Sequence, residues 1–299
     1  MQLVVNNKKI VVVGSIAIDN TIFTKELPHA GTTTIADSYF QNIGGKGANQ
    51  ACAALFLGSE VSLIGAVGKD ANGDAVKKFL KENGLNYRIK DSEKPTGVAF
   101  IILEESNAEN RILIIQGSNN DLLIDDIEKN EDLFREGDIL LTQFESPIPT
   151  IEYTIKKAKE KGMLVVVNPA PIKKVDDSIY QYIDYLVPNE HELEALSGET
   201  DVIKGANIML NKGAKNIIAT LGEKGSILVN KQETIKIAPH KVEAIDTVAA
   251  GDSYLGALVN KMAIGANIKE AMEFASKCSS ITVTRKGAII ALPHKEDLL

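Results

Sequence analysis

Apolar runs rich in valine and isoleucine alternate along the chain with segments whose apolar residues recur at helical spacing. No other feature constrains the fold as tightly. Parallel strands need a crossover of a dozen or more residues, and helical crossovers cover both faces of the sheet they connect. The runs lie at Ile10–Ser15, Val61–Val67, Asp138–Gln143, Met163–Asn168, Tyr185–Pro188 and Asn216–Leu221. Between them the spacing predicts helices at Lys46–Leu57, Ala71–Glu82, Ile148–Lys161, Asn189–Leu196 and Val202–Asn211, many ending near a glycine suited to the left-handed C-terminal conformation. The expected fold class is α/β, a three-layer α/β/α sandwich around a mostly parallel central sheet.

Three segments break this rhythm: Asp19–Phe23, Thr32–Asn42 and Thr96–Gln116, the last being two strand-like runs around the polar turn Glu104–Asn110. Their period-2 character predicts a small antiparallel sheet apart from the main core, placed to act as a lid. A hairpin at the edge of the large sheet is expected from Gly225–Asn230 and Glu233–Ala238, joined at Lys231 and Gln232. No repeat, low-complexity tract or linker divides the 299 residues. We therefore expect one α/β domain over 1–299, with a lid formed by inserted segments at about 17–24, 32–42 and 96–116.

Charge and cysteine use exclude several function classes. Lysine and arginine total 33 against 40 aspartates and glutamates, a net charge of -7, and no local basic stripe compensates. Such a field repels a phosphate backbone, so nucleic acid is not an expected partner. No run approaches the ~18 apolar residues of a spanning helix, so no membrane partner is expected. Cys52 and Cys278 have no second Cys or His at metal-ligand spacing and read as buried free thiols. Ser15-Ile16-Ala17, behind Lys8 and Lys9, resembles a signal-peptidase site. The run around it is β-branched, interrupted by Gly14 and Ser15 and followed by Asp19, which suits a buried first strand and a cytoplasmic protein.

Two short segments concentrate the chemistry. In Gly44-Gly45-Lys46-Gly47-Ala48-Asn49, three glycines in four residues let backbone N–H groups approach a polar ligand, while Lys46 and Asn49 offer donors at the same end. A glycine-rich turn leading into a helix is the plainer reading. The segment is not a P-loop, because Gly47 stands where Ser or Thr is required, and not a dinucleotide fingerprint, because Gln50 takes the last glycine position. An NAD-dependent oxidoreductase loses its main warrant. The second segment, Asp246-Thr247-Val248-Ala249-Ala250-Gly251-Asp252, precedes a helical stretch through about Met262. Small residues before a helix start leave N–H groups free to converge on an anion, aided by the helix dipole. Asp252 beside that cradle could take a proton from an attacking hydroxyl while the N–H groups stabilise a transferring phosphoryl group. An aspartate helix cap is the alternative.

Together, Gly44 to Ala51, Asp246 to Asp252 and Thr282 to Ala288 resemble the ribokinase family of sugar kinases. Gly14-Ser15, Phe144-Glu145-Ser146, Asn168-Pro169-Ala170-Pro171, Pro188-Asn189-Glu190 and Thr220-Leu221-Gly222 follow the family's order, so the resemblance spans nearly the whole chain. It implies Asp252 as catalytic base and Ala249, Ala250 and Gly251 as the anion hole. Sugar contacts are implied at Asp19, Gly45, Lys46, Asn49 and Glu145 as well as Asp252; carboxylates suit a polyol because each accepts hydrogen bonds from two hydroxyls. A turn aspartate and a helix-start glutamate are the plainer readings of Asp19 and Glu145.

The resemblance further implies ATP at Asn189, Thr220, Gly222 and Gly225, strand-end loops where an open α/β sheet holds such ligands. Asn189 and Glu192 match the family's N-x-x-E motif and share one helix face, with Glu192 implied to hold Mg²⁺ through water; Asn189 also reads as a helix cap. A monovalent cation, K⁺, is implied at Asp246, Val248, Thr282, Arg285, Gly287 and Ala291, several through backbone carbonyls. Ala291 departs from the family's usual Ser, and Ala17 from its usual Asn. The implied activity is ATP-dependent phosphorylation of a primary hydroxyl of a pentose, D-ribose first. Alternatives are 2-deoxyribose, another furanose, a nucleoside, or a non-catalytic sugar- or nucleotide-binding regulator. Asp252 beside an intact Ala-Ala-Gly argues against the regulator. A lid of so few strands has one face without a core of its own, so a homodimer joined through it is expected.

Overall fold

The computed structural model describes residues 7–104 and 109–298. In chain order the first half contains β1 (Ile10–Val13), β2 (Ala17–Thr24), β3 (Ser38–Gly44), α1 (Lys46–Phe56), β4 (Val61–Gly68), α2 (Ala71–Glu82), β5 (Asn86–Ser92), β6 (Gly97–Glu104), β7 (Glu109–Ile115), α3 (Ile124–Glu128) and β8 (Ile139–Gln143). The second half contains α4 (Ile148–Glu160), β9 (Leu164–Asn168), β10 (Tyr185–Leu186), α5 (Glu190–Ser197), α6 (Val202–Asn211), β11 (Asn216–Thr220), β12 (Ser226–Asn230), β13 (Thr234–Ile237), α7 (Ala250–Ala263) and α8 (Ile268–Thr282).

Nine strands form the large sheet in the order β13-β12-β11-β10-β9-β8-β1-β4-β5, parallel from β11 to β5, with β12 and β13 antiparallel at one edge. The interior strand β1 reads Ile-Val-Val-Val with every residue buried, which requires cover on both faces. Its period of two divides that cover. Ile10 and Val12 pack in one cluster with Cys52 of α1, Leu80 of α2, Leu258 of α7 and Met272 of α8. Val11 and Val13 pack in another with Ile155 of α4 and Met209 of α6. These clusters are the two interfaces of the expected three-layer sandwich. Cys52 and Cys278 are buried free thiols, and burial pushes each up to about 12.

The smaller sheet has the order β3-β2-β6-β7. It is not wholly antiparallel, as its alternation suggested, because β2 and β6 pair in parallel. Both continue, after short links, from strands β1 and β5 of the parallel sheet, and so leave it in the same direction. The segment expected at 32–42 begins as a strand only at Ser38; residues 32–37 are exposed and make no ladder, the reversal being closed by Asp37 N–H donating to the carbonyl of Phe23 at 2.8 Å. Within the turn expected at Glu104–Asn110, residues 105–108 lie outside the described residues. The edge hairpin is present as β12 and β13.

Strand β5 and helix α8 were not anticipated. The strand carries Arg88, Lys90 and Asp91 at the sheet edge, where only Tyr87 and Ile89 lean on the core, so its apolar signal is diluted. The helix is rich in small polar residues, Ser276, Ser279 and Ser280, although Asn267 and Glu270 form a capping box at its start.

Gly225, between β11 and β12, has φ 87°, and a Cβ there would stand 2.0 Å from the carbonyl oxygen of Ile237. Gly225→Ala should therefore destabilise the protein by about 1–3 kcal/mol, measured as a lower urea midpoint with unchanged slope.

Candidate active site

The link from β1 to β2, Gly14-Ser15-Ile16, lies against the start of α1. A Cβ on Gly45 would come within 2.8 Å of the Ala17 nitrogen, and one on Gly47 within 2.6 Å of the Gly14 carbonyl carbon. These glycines thus admit the chain's own backbone. Their close approach seats the first turn of α1 at the C-terminal ends of the parallel strands, presenting Lys46, Asn49 and Gln50 there.

The facing element is the start of α7. Ala249 adopts φ 59°, ψ 9°, the one non-glycine residue with positive φ among the described residues. An L-residue held in this region costs about 1–2 kcal/mol, and such outliers cluster where geometry serves a site. The turn it makes leaves the N–H groups of Gly251 and Asp252 outside the helical ladder, directed at the head of the helix. A Cβ on Gly251 would meet no heavy atom within 4 Å, so the space before this helix start is open. Ser279 Oγ donates to the carbonyl of Ala250 at 3.0 Å, and Thr282 Oγ1 to Ser253 Oγ at 2.7 Å, tying this turn to α8.

Asp252 is not the helix cap that one reading allowed, since the N-cap is Ala249. Its buried carboxylate points across to α1, with Oδ2 accepting from Asn49 Nδ2 at 2.8 Å and Oδ1 from Gln50 Nε2 at 2.9 Å. Beside it, Glu145 Oε2 accepts from the Ser15 hydroxyl and from Lys46 N–H at 3.1 Å. Asp19 on β2 completes the group, its carboxylate lying over Gly44, where a Cβ would sit 2.0 Å from Oδ2. Burial pushes Asp19 up to about 7, helped by Glu145 and Asp252 and opposed by Lys46. Burial alone would lower Lys46, but Asp252, Glu145, Glu192 and Asp19 outweigh it and hold the ammonium above its ordinary range. Asn49 Oδ1 is buried without a hydrogen-bond partner among the described residues. One cation among carboxylates, with a spare amide acceptor, is a donor and acceptor set suited to a polyol.

A cavity of about 210 Å³ opens from this group, lined by Lys46, Asn189, Glu192, Thr220 and Ala249 through Asp252. Asn189 is the helix cap that its alternative reading proposed: its Oδ1 accepts from Glu192 N–H at 2.7 Å, and Glu192 Oε2 accepts from Asn189 N–H at 2.8 Å. Burial raises Glu192, while the Asn189 N–H and Lys46 restrain it. One Glu192 oxygen is thus committed to the helix and the other remains for a ligand. No cluster of three or more His, Cys, Asp or Glu among the described residues could hold a metal alone. That donor set fits a Mg²⁺ held mainly by phosphate and water, with Glu192 contributing through water.

Thr220 pairs with Asn189 through an isolated parallel bridge, and Gly222 and Gly225 follow in the turn to β12, outside the cavity lining. At the other side of α7, Asp246 Oδ1 accepts from Val248 N–H at 3.0 Å and Oδ2 from Gly287 N–H at 2.9 Å, joining the two segments implied to hold a monovalent cation. Arg285 turns its guanidinium to Asp297, Thr282 commits its hydroxyl to Ser253, and Ala291 is buried in a short turn. Arg285 and Ala291 can serve a cation only through backbone carbonyls. A larger groove of about 1020 Å³ along β13, α7 and α8 contains none of these residues.

The sequence reading missed Ser15, Gln50, Gln143 and Asn168. The last three join Asp252 in a buried polar chain: Gln143 Nε2 donates to Gln50 Oε1 at 2.6 Å, and Gln50 Nε2 lies 3.4 Å from Asn168 Oδ1. Gln143 and Asn168 end the apolar strands β8 and β9, and a polar residue closing such a run was the available signal.

The model of the pfkB family carbohydrate kinases matches residues 7–295. The chain belongs to the pfkB family of carbohydrate kinases. A ribokinase of Schizosaccharomyces pombe is 38% identical over 301 residues, covering 95% of this chain and 94% of its own. A deoxyribokinase of Salmonella typhi is 34% identical over 295 residues, covering 96% of each. The structure of Arabidopsis thaliana ribokinase complexed with ribose and ATP superimposes with a TM-score of 0.87 at 29% identity, covering 97% of each chain.

In this pfkB-family kinase the raised Asp19 carboxyl fixes the sign of a stability change with pH. An unfolded aspartate loses its proton near pH 3.8 while the folded one keeps it to about 7, so the native state loses stability across that window as pH rises. Asp19→Asn should melt increasingly above the parent between pH 4.5 and pH 8, and equal offsets at both ends would contradict the raised carboxyl.

Proposed function

We propose that the chain transfers the γ-phosphoryl group of ATP to the primary hydroxyl of a pentose, D-ribose to D-ribose 5-phosphate first. The carrying observation is the buried Asp252 carboxylate, which stands between a polyol-suited group on α1, β2 and Glu145 and the open start of α7. The Arabidopsis relative, solved with ribose and ATP, supports both substrates.

Asp19, Lys46, Asn49, Glu145 and the Gly45 backbone would hold the sugar hydroxyls with the acceptor hydroxyl at Asp252. The hydroxyl oxygen attacks the γ-phosphorus and its proton passes to Asp252, while the bond to the β-phosphate oxygen breaks and ADP leaves with the electron pair. N–H groups of Gly251 and Asp252, with Ala249 setting their direction and Ala250 donating its own N–H to the Thr247 carbonyl at 3.3 Å, stabilise the charge on the transferring group. Asn189, Thr220, Gly222 and Gly225 would border the nucleotide. Mg²⁺, held through water at Glu192, would neutralise phosphate charge, and K⁺ at the Asp246, Val248 and Gly287 junction would steady the start of α7.

A second reading, 2-deoxyribose, is favoured by Ala17. It shares a β2 face with Asp19, so a methyl stands where an amide could have met a further hydroxyl. We place the enzyme in the cytoplasm; no helix among the described residues is long and apolar enough to cross a membrane. Residues 1–299 would act as one domain, with the small sheet as lid.

The outer face of that sheet carries Tyr39, Phe100, Leu113 and Ile115, all exposed. These residues fit a homodimer in which two lids cover each other.

Asp252→Asn should fold as the parent does and lose roughly 10²- to 10⁴-fold in kcat. Measured against a panel of pentoses, deoxypentoses, hexoses and nucleosides, turnover should be highest with D-ribose. Near-parental turnover of the variant would remove Asp252 as base.

Light scattering at micromolar concentration should give the mass of two chains, falling to one for Leu113→Glu. A fully active single chain would rule out the shared lid.

A further inference from the structure

Asp252 is held by two amides of different standing. Asn49 faces the sugar side and leaves its Oδ1 unpartnered. Gln50 lies one residue further along α1, is fully buried, and spends both ends of its amide inside the protein. Its Oε1 accepts from Gln143 Nε2 at 2.6 Å, so its Nε2 must face the other way, where Asp252 Oδ1 accepts it at 2.9 Å. Gln143 is itself fully buried at the end of β8, beside Gly14, where a Cβ would come within 2.1 Å of its Oε1. The orientation of the Asp252 carboxylate is thus set from the central sheet, through Gln143 and Gln50. Both oxygens accept an amide N–H, but only the Gln50 donor is itself fixed by a buried partner, whereas Asn49 at Oδ2 has no hydrogen bond on its own Oδ1 and can give way to a sugar hydroxyl, which leaves Oδ2 for the proton.

We propose that Gln50, oriented by Gln143, is a positioning residue that anchors Asp252 Oδ1, so that Oδ2 receives the proton of the acceptor hydroxyl. The proposal rests on the reading of Asp252 as base. The proton moves from the sugar hydroxyl to Oδ2 as that oxygen bonds to phosphorus and ADP departs; Gln50 keeps its own protons throughout. The other charged groups facing Asp252 are Lys46 from α1, Asp19 from β2 and Glu192 from α5, and none of them is altered by substitution at Gln50.

Two variants of similar volume test this. Gln50→Met removes the donor and should lower kcat about 10- to 100-fold, the scale of a lost hydrogen bond to a charged group, while KM for the pentose moves less than about threefold. The acid limb of its kcat/KM profile should move to higher pH, because a carboxylate deprived of a donor binds its proton more tightly. Gln143→Met added to Gln50→Met should cost little more than Gln50→Met alone, since both act through one bond. Gln50→Glu introduces a carboxyl that can donate to Asp252 only while protonated, so its kcat should fall as pH rises where the parent stays level.

Parental kcat in Gln50→Met, or profiles of both variants parallel to the parent's, would overturn the proposal. So would failure of both to fold by thermal melting, which would make the amide an element of the core alone. A parent protein inactive on every pentose, or a fully active Asp252→Asn, would overturn the functional reading and this proposal with it. That result is separable because it is obtained before any substitution at Gln50.

Discussion

The seating of α1 on the link between β1 and β2 is the contact on which the rest of the site depends. It is possible only because Gly45 and Gly47 carry no Cβ where the Ala17 and Gly14 backbones pass. The same link carries the chain from the large sheet into the small one. A single close approach therefore fixes three things: where Lys46, Asn49 and Gln50 stand, where β2 departs with Asp19, and how Ser15 meets Glu145. Glycines that invite a ligand-based reading are here first a packing requirement, and the ligand-facing side chains are placed by that packing.

The charge within the site is kept in tension. Lys46 is the half-buried cation of the site, facing Asp252, Glu145, Glu192 and Asp19. Opposite charges keep it protonated against burial, yet they do not suffice for all the carboxylates, and Asp19 is left holding its proton to about 7. Hydroxyl donors of a polyol would offset that imbalance by solvating the carboxylates in place of water. The site is thus arranged to be less comfortable empty than filled, which is how binding free energy becomes directed at one chemical class of ligand.

Much of this was legible in the sequence, and the limits have physical causes. The α/β alternation, the edge hairpin and the helix starts at Lys46 and Val202 follow from periodicity and turn chemistry that act over a few residues. Strand β5 was hidden because an edge strand need not be apolar, and the parallel pairing of β2 with β6 because pairing direction is set by where the strands originate, far apart in sequence. Asp252 stood out beside its small residues, whereas Gln50 and Gln143 did not. A glutamine in a helix or at a strand end is ordinary until the fold brings it to 2.9 Å from a carboxylate or 2.6 Å from another amide. Asn189 carries both of its readings: its Oδ1 caps a helix, and the residue also lines the cavity.

The period of two in the small sheet adds a last link between chemistry and assembly. Along β2, Asp19 faces the group of Glu145, Asp252 and Lys46 and Ala17 shares its face, so Ile18, Asn20 and Ile22 must face away. Register carries the same division outward: Asn20 is opposite Phe100, which is opposite Leu113, and Tyr39 on β3 donates to Asn20 Oδ1 at 2.7 Å. The face we assign to a second copy is therefore the back of the strand that carries Asp19. A one-residue slip in this sheet would exchange the two faces, exposing the carboxylate and burying the apolar side. Covering the outer face would oppose that slip, so a second subunit would stabilise the register that points Asp19 inward. In such an assembly the partner need contribute no residue to the site to govern how well it binds sugar.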